Sequence, residues 1–361
     1  MKAKLPETSE LLTNRKFWRE EIFWQFAERC DEMIFENPQR GLEEARNALR
    51  LAELCAATSD CPGRLHVAAY SLIGSAHRAC AQYDQAEVSY AQATEHGRDL
   101  APLDLVDLKR RMAILRRDLN DYQGALELVN EAIRTYRNDG DVTETHFLGK
   151  CYQARGVIFL QRAWRLNRGH ALSTRDLHQA LVDLTKALYH LDPGDQPDRH
   201  YFAAVHNLSI VLLDCHDPAA LGLALKHLTK AQKSLYYTRH HLAKYKLKWL
   251  KGLLENRFGS TRRGERLLLQ ARDGMRVLGA IYELAMISID TTSLYLAEGQ
   301  PAAVIRQMAL ETYAYFREVS CDEEALAALA LWREAAEKEK LTDEIIKTVR
   351  QTIARLTKPA T

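Results

Sequence analysis

The sequence is short of turn formers. Its 361 residues include only 9 prolines and 17 glycines, too few to punctuate an all-β chain and suited to long helices. No apolar run reaches the roughly 18 residues that a membrane span needs, and Met1 to Glu10 lacks the apolar stretch of a signal peptide. A chain without membrane spans, working in the cytoplasm, is therefore expected. Seven cysteines occur, Cys30, Cys55, Cys61, Cys80, Cys151, Cys215 and Cys321. Their odd number, wide spacing and lack of any CxxC argue against a disulfide framework or a zinc site. Set within apolar patterns, most of them read as small buried hydrophobes. GxGxxG, GxxxxGK[ST], HExxH and GxSxG are also missing, so no cofactor, phosphate loop or catalytic metal is expected.

Good helix formers crowd the segments that remain. Tyr70, Gly74, Ala86, Tyr90 and Ala93 have an order that suggests one pair of helices, Val67 to Gln82 and Gln85 to His96, with a turn at Tyr83-Asp84. A mid-helix glycine costs roughly 1 kcal/mol relative to alanine. Close helix contact at Gly74 supplies a reason to keep it. Ala86 and Ala93 lie on one face of the second helix, where small side chains admit a neighbour, and Tyr70 and Tyr90 would fill the space beside the contact.

The grammar recurs. Ala113, Ala125, Val129 and Ala132 reproduce it around the turn Asn120-Asp121-Tyr122, and Gly252, Gly264, Leu268 and Ala271 around the break Phe258-Gly259-Ser260. Ala45-Leu49-Ala52, Ala180-Leu184-Ala187 and Ala224-Leu228-Ala231 repeat the second-helix half. Tyr152-Gly156-Phe159 and Asn207-Leu208-Ser209 match the first helices of the last two. A weaker copy spans Thr291 to Leu310 with a turn at Glu298 to Pro301.

This order of bulky, glycine, small, aromatic and alanine residues resembles the tetratricopeptide repeat family over about residues 38 to 315. The resemblance implies an all-α superhelix, a solenoid of about six to seven helix pairs with helical caps. Residues 1-37 are expected to form the N-terminal cap, with Trp18, Ile22, Phe26, Cys30 and Met33 on one stripe, 38-320 the repeats, and 321-361 the C-terminal cap and tail. Second-helix small residues recur at intervals of 41, 39, 55, 44, 40 and 39 residues, longer than the family's period of about 34. The 55-residue gap places an insertion near Leu166 to Thr174. The length and irregularity resemble stand-alone bacterial regulatory members of the family.

Candidate chemistry is sparse. His190, His200 and His206 flank a proline-containing loop and are weighed as a metal site against ordinary loop histidines. Arg165 and His170 have the Arg-x4-His spacing of a family of helical ribonucleases, a two-residue pattern of little specificity. Paired acids such as Glu43-Glu44 read as helix-dipole or solvated charges.

Charge is distributed unevenly. Lys226 to Arg266 contains twelve Lys/Arg against Glu255 and Glu265, with Tyr236, Tyr237, Tyr245 and Trp249 interleaved. Asp322 to Glu344 has eight acids against Arg333, Lys338 and Lys340. In the family the first helix of each pair lines the concave groove. That placement nominates Arg78, Arg110, Arg117, Lys150, Gln153, His206, Asn207, Lys246, Trp249, Asn256 and Arg257 as a partner-binding lining, together with Leu253. The competing reading is a solvated lysine-rich outer face with Trp249 in the core. Some family members grip a C-terminal carboxylate through a five-residue clamp. Asn207 and Lys246 match two of its places, but Gln153, Val157 and Leu250 break it.

The expected function is a non-enzymatic scaffold or regulatory subunit. It would bind a protein or peptide of acidic character in a basic groove, controlling a transcription factor, protease or effector. Two alternatives are a peptide-pheromone receptor, for which residues 1-37 are short as an effector domain, and single-stranded nucleic-acid binding through residues 226-266.

Overall fold

The computed structural model describes residues 5–138, 145–166, 174–191, 199–215, 218–233, 240–318 and 323–356. Among these residues there are helices and no strand. The chain divides into two compact units, Met1–His190 and Leu191–Thr361.

The first unit contains α1 (Thr8–Thr13), α2 (Glu20–Glu36), α3 (Pro38–Ala56), α4 (Pro62–Ala79), α5 (Tyr83–His96), α6 (Val106–Asp118), α7 (Tyr122–Asn138), α8 (His146–Leu166) and α9 (Thr174–Leu191). From α2 to α8 each helix packs on the next, and α2, α4, α6 and α8 also touch in succession. The N-terminal segment shares one core with α3 and α4, built from Phe23, Phe26, Cys30, Ile34, Ala45, Leu51, Leu65 and Leu72. The stripe expected for this segment runs through Phe23, Phe26, Cys30 and Ile34, while Trp18 precedes α2 and is half-buried.

The second unit contains α10 (Arg199–Cys215), α11 (Pro218–Gln232), α12 (His241–Phe258), α13 (Thr261–Val277), α14 (Ile281–Ala297), α15 (Ala302–Glu318), α16 (Glu323–Glu337) and α17 (Asp343–Leu356). Neighbours in sequence pack together, and α10, α12 and α14 touch in succession. The last four helices depart from that pattern. α14 packs on α15, α15 on α16, α16 on α17, and α17 returns to α14. These four form a closed bundle around Trp332, Phe316, Ile289, Val349 and Ile353.

Small residues permit the close contacts. A Cβ built at Gly74 would stand 2.6 Å from the Tyr90 ring, and one at Gly252 would stand 3.0 Å from Leu268. Each glycine precedes its bulky partner by 16 residues. Gly156 lies against Leu184 in the same way, at 2.8 Å. Tyr90 is buried, and its hydroxyl lies 3.1 Å from Ser75 Oγ.

Five helix ends share one stop. Ala81, Asn120, Gly279, Gly299 and Glu339 take left-handed φ values of 59, 66, 66, 66 and 53°. The next N–H then bonds back to the sixth carbonyl in the manner of a Schellman cap, as from Gln82 to His77 at 2.9 Å and from Asp121 to Arg116 at 2.9 Å. Ala280 to Met275, Gln300 to Tyr295 and Lys340 to Ala335 repeat the bond. The expected turns at Asn120 and Glu298–Pro301 therefore occur. The break at residues 258–260 is closed instead by Ser260, whose side chain accepts from the Arg263 N–H. The insertion expected near Leu166 to Thr174 falls largely outside the described residues.

Candidate interaction surfaces

Three of the expected groove residues in the first unit, Arg78, Arg110 and Arg117, are held in ion pairs, and the Arg78 pair joins two helices. Arg78 on α4 is buried and donates Nη1 to Asp118 Oδ2 at 2.8 Å. Arg117 holds the other oxygen, Oδ1, at 2.7 and 3.0 Å. Burial opposes the charge on Asp118, but the Arg117 and Arg78 guanidiniums outweigh it and hold the carboxyl below its ordinary value.

A second network surrounds Asp107. Arg110 Nε donates to Oδ1 at 2.8 Å and Arg111 Nε to Oδ2 at 2.6 Å. Arg111 also reaches Asp31 at 2.9 Å and Ser75 at 2.8 Å, tying α6 to α2 and α4. Burial again opposes ionisation, and Arg110, Arg111 and Lys150 reverse it, leaving Asp107 far below the carboxylate range. Sequence reasoning passed over Arg111. The run Asp107-x-x-Arg110-Arg111 carried the signal, since acids and bases three and four apart meet on a helix. Lys150 is half-buried over the Phe147 ring, 4.8 Å from its centroid, and Gln153 is buried.

In the second unit, His206 and Asn207 are buried on α10. Neither ring nitrogen of His206 has a hydrogen-bond partner among the described residues. Burial, reinforced by the Lys246 charge, pushes its pKa down to about 3. Lys246 pairs with Glu283 of α14 at 3.0 Å. Burial raises the Glu283 carboxyl, and Lys246 more than offsets it, so the net shift is downward.

Trp249 lies in the core at 9 % exposure, with Nε1 donating to Asp290 Oδ2 at 2.9 Å. Arg350 of α17 donates to the other oxygen, Oδ1, at 2.8 Å. Asn256 is half-buried with Oδ1 lacking a partner among the described residues, and it crowds Gly264 so closely that a Cβ there would collide. Arg257 is exposed and its guanidinium donates to the Leu213 carbonyl.

The nominated lining is thus not a row of surplus cations. Arg78, Arg110, Arg117 and Lys246 are matched by Asp118, Asp107 and Glu283, and the competing core reading describes Trp249. The aromatics of the basic segment turn inward as well. The Tyr245 ring lies over Gly274, where no side chain would fit, while Tyr236 and Tyr237 lie outside the described residues.

Other candidates supply little chemistry. No group of three or more His, Cys, Asp or Glu among the described residues is arranged to hold a metal. Arg165 and His170 have side chains outside the described residues. Burial raises the Cys30 thiol far above its usual value, pushes Cys151 up to about 12 and Cys55 up to about 11, so none is an activated nucleophile. No helix among the described residues is long and apolar enough to cross a membrane. The chain matches no protein-family model and no curated protein with which it was compared.

Proposed function

We propose that the protein is a non-enzymatic interaction scaffold or regulatory subunit of the tetratricopeptide type, holding a protein or peptide against its first helices. One observation carries this reading. The Gly74–Tyr90 contact recurs as Gly252–Leu268 at the same spacing, in helix pairs whose alternate helices also touch. A shared packing rule in both units supports a reading as repeated helical hairpins, which would present side chains of alternate helices as a ligand face. Arg78, Arg111, Lys246 and Trp249 bond to acids on neighbouring helices, which supports a structural and binding role over catalysis.

Charge matching revises the partner's expected chemistry. With Arg78 and Arg117 sharing Asp118, Arg110 on Asp107 and Lys246 on Glu283, we expect a partner of mixed rather than strongly acidic character.

The test begins with affinity purification of the tagged full chain, followed by titration of the purified partner in a calorimeter. A stoichiometric complex is expected, weakened at least tenfold either by Lys150→Glu in the first unit or by Arg257→Glu in the second, while helical content stays constant. A partner that binds both variants as tightly as the wild type would remove the first helices of either unit as the site. Recovery of no stoichiometric protein would remove the scaffold reading.

A further inference from the structure

The second unit carries a basic surface that neither fold nor groove accounts for. On α11, Lys226, Lys230 and Lys233 follow at i, i+4 and i+7, and on α12 Lys244, Lys248 and Lys251 repeat that spacing. Each triplet forms one stripe on its helix. The α11 stripe lies opposite Leu228 and Ala231, which are buried, and Lys226 and Lys233 are exposed. α12 packs on both α11 and α13. Lys248 donates to Gln270 of α13 at 3.1 Å, which brings the second stripe to the edge of a helix where Arg262, Arg263 and Arg266 are exposed.

Acids are outnumbered on α11 to α13, where Glu255, Glu265 and the exposed Asp273 are the ones described. α11 contains none. Glu255 is taken by Arg263 at 3.4 Å, and Glu265 is engaged with the Tyr295 hydroxyl. Lys226, Lys233, Lys244 and Lys251 form no ion pair among the described residues.

Among the described side chains of α10 to α13, every Phe, Tyr and Trp is buried or half-buried. Lys230 stands over the buried Tyr201, 5.9 Å from its centroid, and Lys248 over Tyr245 at 5.7 Å. Protein interfaces rest on desolvated aromatic or arginine anchors and are depleted in lysine. Single strands require exposed rings for base stacking. Six lysines against the three exposed arginines Arg262, Arg263 and Arg266, with no exposed Phe, Tyr or Trp among the described side chains of these helices, suit the phosphates of a duplex, which position a protein without reading its sequence. We infer that the α11–α13 surface docks on the backbone of double-stranded nucleic acid, independently of the protein partner proposed above.

The probe is a fluorescein-labelled 24-base-pair DNA duplex of arbitrary sequence, titrated with the full chain by anisotropy at several KCl concentrations. With Lys226, Lys233, Lys244 and Lys251 on phosphates, affinity should fall about a hundredfold between 50 and 200 mM salt. Lys226→Gln, Lys233→Gln and Lys244→Gln together should lower the slope of log K against log salt by about three, and each single substitution by about one. Arg40→Gln, Arg46→Gln and Arg50→Gln remove the same charge from exposed positions on α3 and should leave the slope unchanged. Absence of binding at 20 mM KCl would overturn the inference, as would an equal loss in the α3 control. Tighter binding to oligo-dT or to polyglutamate than to the duplex would overturn it in favour of a single strand or an acidic protein. These results are read without the protein partner, so failure here leaves the scaffold reading standing.

Discussion

His206 shows how one buried side chain ties stability to pH. Its folded pKa is about 3, against about 6.5 for a histidine in an unfolded chain. Below 6.5 the unfolded state binds the extra proton, so folding weakens as pH falls, by ~1.4 kcal/mol for each pH unit. His206→Leu should remove that slope. Urea midpoints measured from pH 7 to pH 5 should fall for the wild type and fall by clearly less for the variant. Parallel curves would show that His206 reaches water in the native state.

What was legible at this scale depended on whether partners were neighbours in sequence. Arg110 and Asp107 are three apart, and Arg117 and Asp118 adjacent, so their neutralisation could be read from spacing. Arg78 meets Asp118 from 40 residues away, and Trp249 meets Asp290 from 41. Only folding reveals those bonds, and they are what changes the expected groove into a set of helix ties.

Among elements, the shared helix stop uses two suitable glycines and one asparagine but also Ala81 and Glu339. A left-handed residue with a side chain bears a cost that glycine avoids. Ala81→Gly should therefore stabilise the protein by about 0.5–1 kcal/mol, raising the urea midpoint with no change in transition slope. No gain would mean that the α4–α5 connection relaxes around alanine at little cost. The same residue explains an error of boundary. Alanine is no turn former, so the sequence suggested that α4 runs to Gln82, whereas it ends at Ala79. Where Asn120 and Gly299 stand, the turn was readable.

The joint between α12, α14 and α17 rests on Asp290. Asp290→Ala leaves the Trp249 indole N–H buried without its acceptor and removes the Arg350 ion pair, at a cost of about 2–3 kcal/mol. Backbone amides of residues 343–356 should then exchange hydrogen faster than those of 323–337. Equal acceleration in both helices would mean that apolar packing, not the carboxylate, holds α17.

At the scale of the molecule, the helical class followed from the scarcity of turn residues, but the division after His190 did not. The repeat grammar runs across that point without a composition break. Each unit has its own core, so local damage should stay local. Gly74→Ala gains helix propensity of about 1 kcal/mol, yet its methyl would meet the Tyr90 ring, which is buried and tied to Ser75. Overpacking of about 1–3 kcal/mol should prevail. Hydrogen exchange should quicken across residues 62–118 and stay unchanged across 241–356. Quickening in both regions would show that the units unfold as one.

The closed end of the second unit was also hidden in the sequence, though a signal existed. α14, from Ile281 to Ala297, is apolar around most of its circumference, and such a helix must be covered on several sides. Because α17 covers one of those sides, α14 offers no bare flank on which another hairpin of the same kind could be laid. Lengthening this protein by duplication, in evolution or at the bench, is therefore confined to positions before residue 281. Copies appended beyond the bundle would lack a template and would have to fold as a separate body.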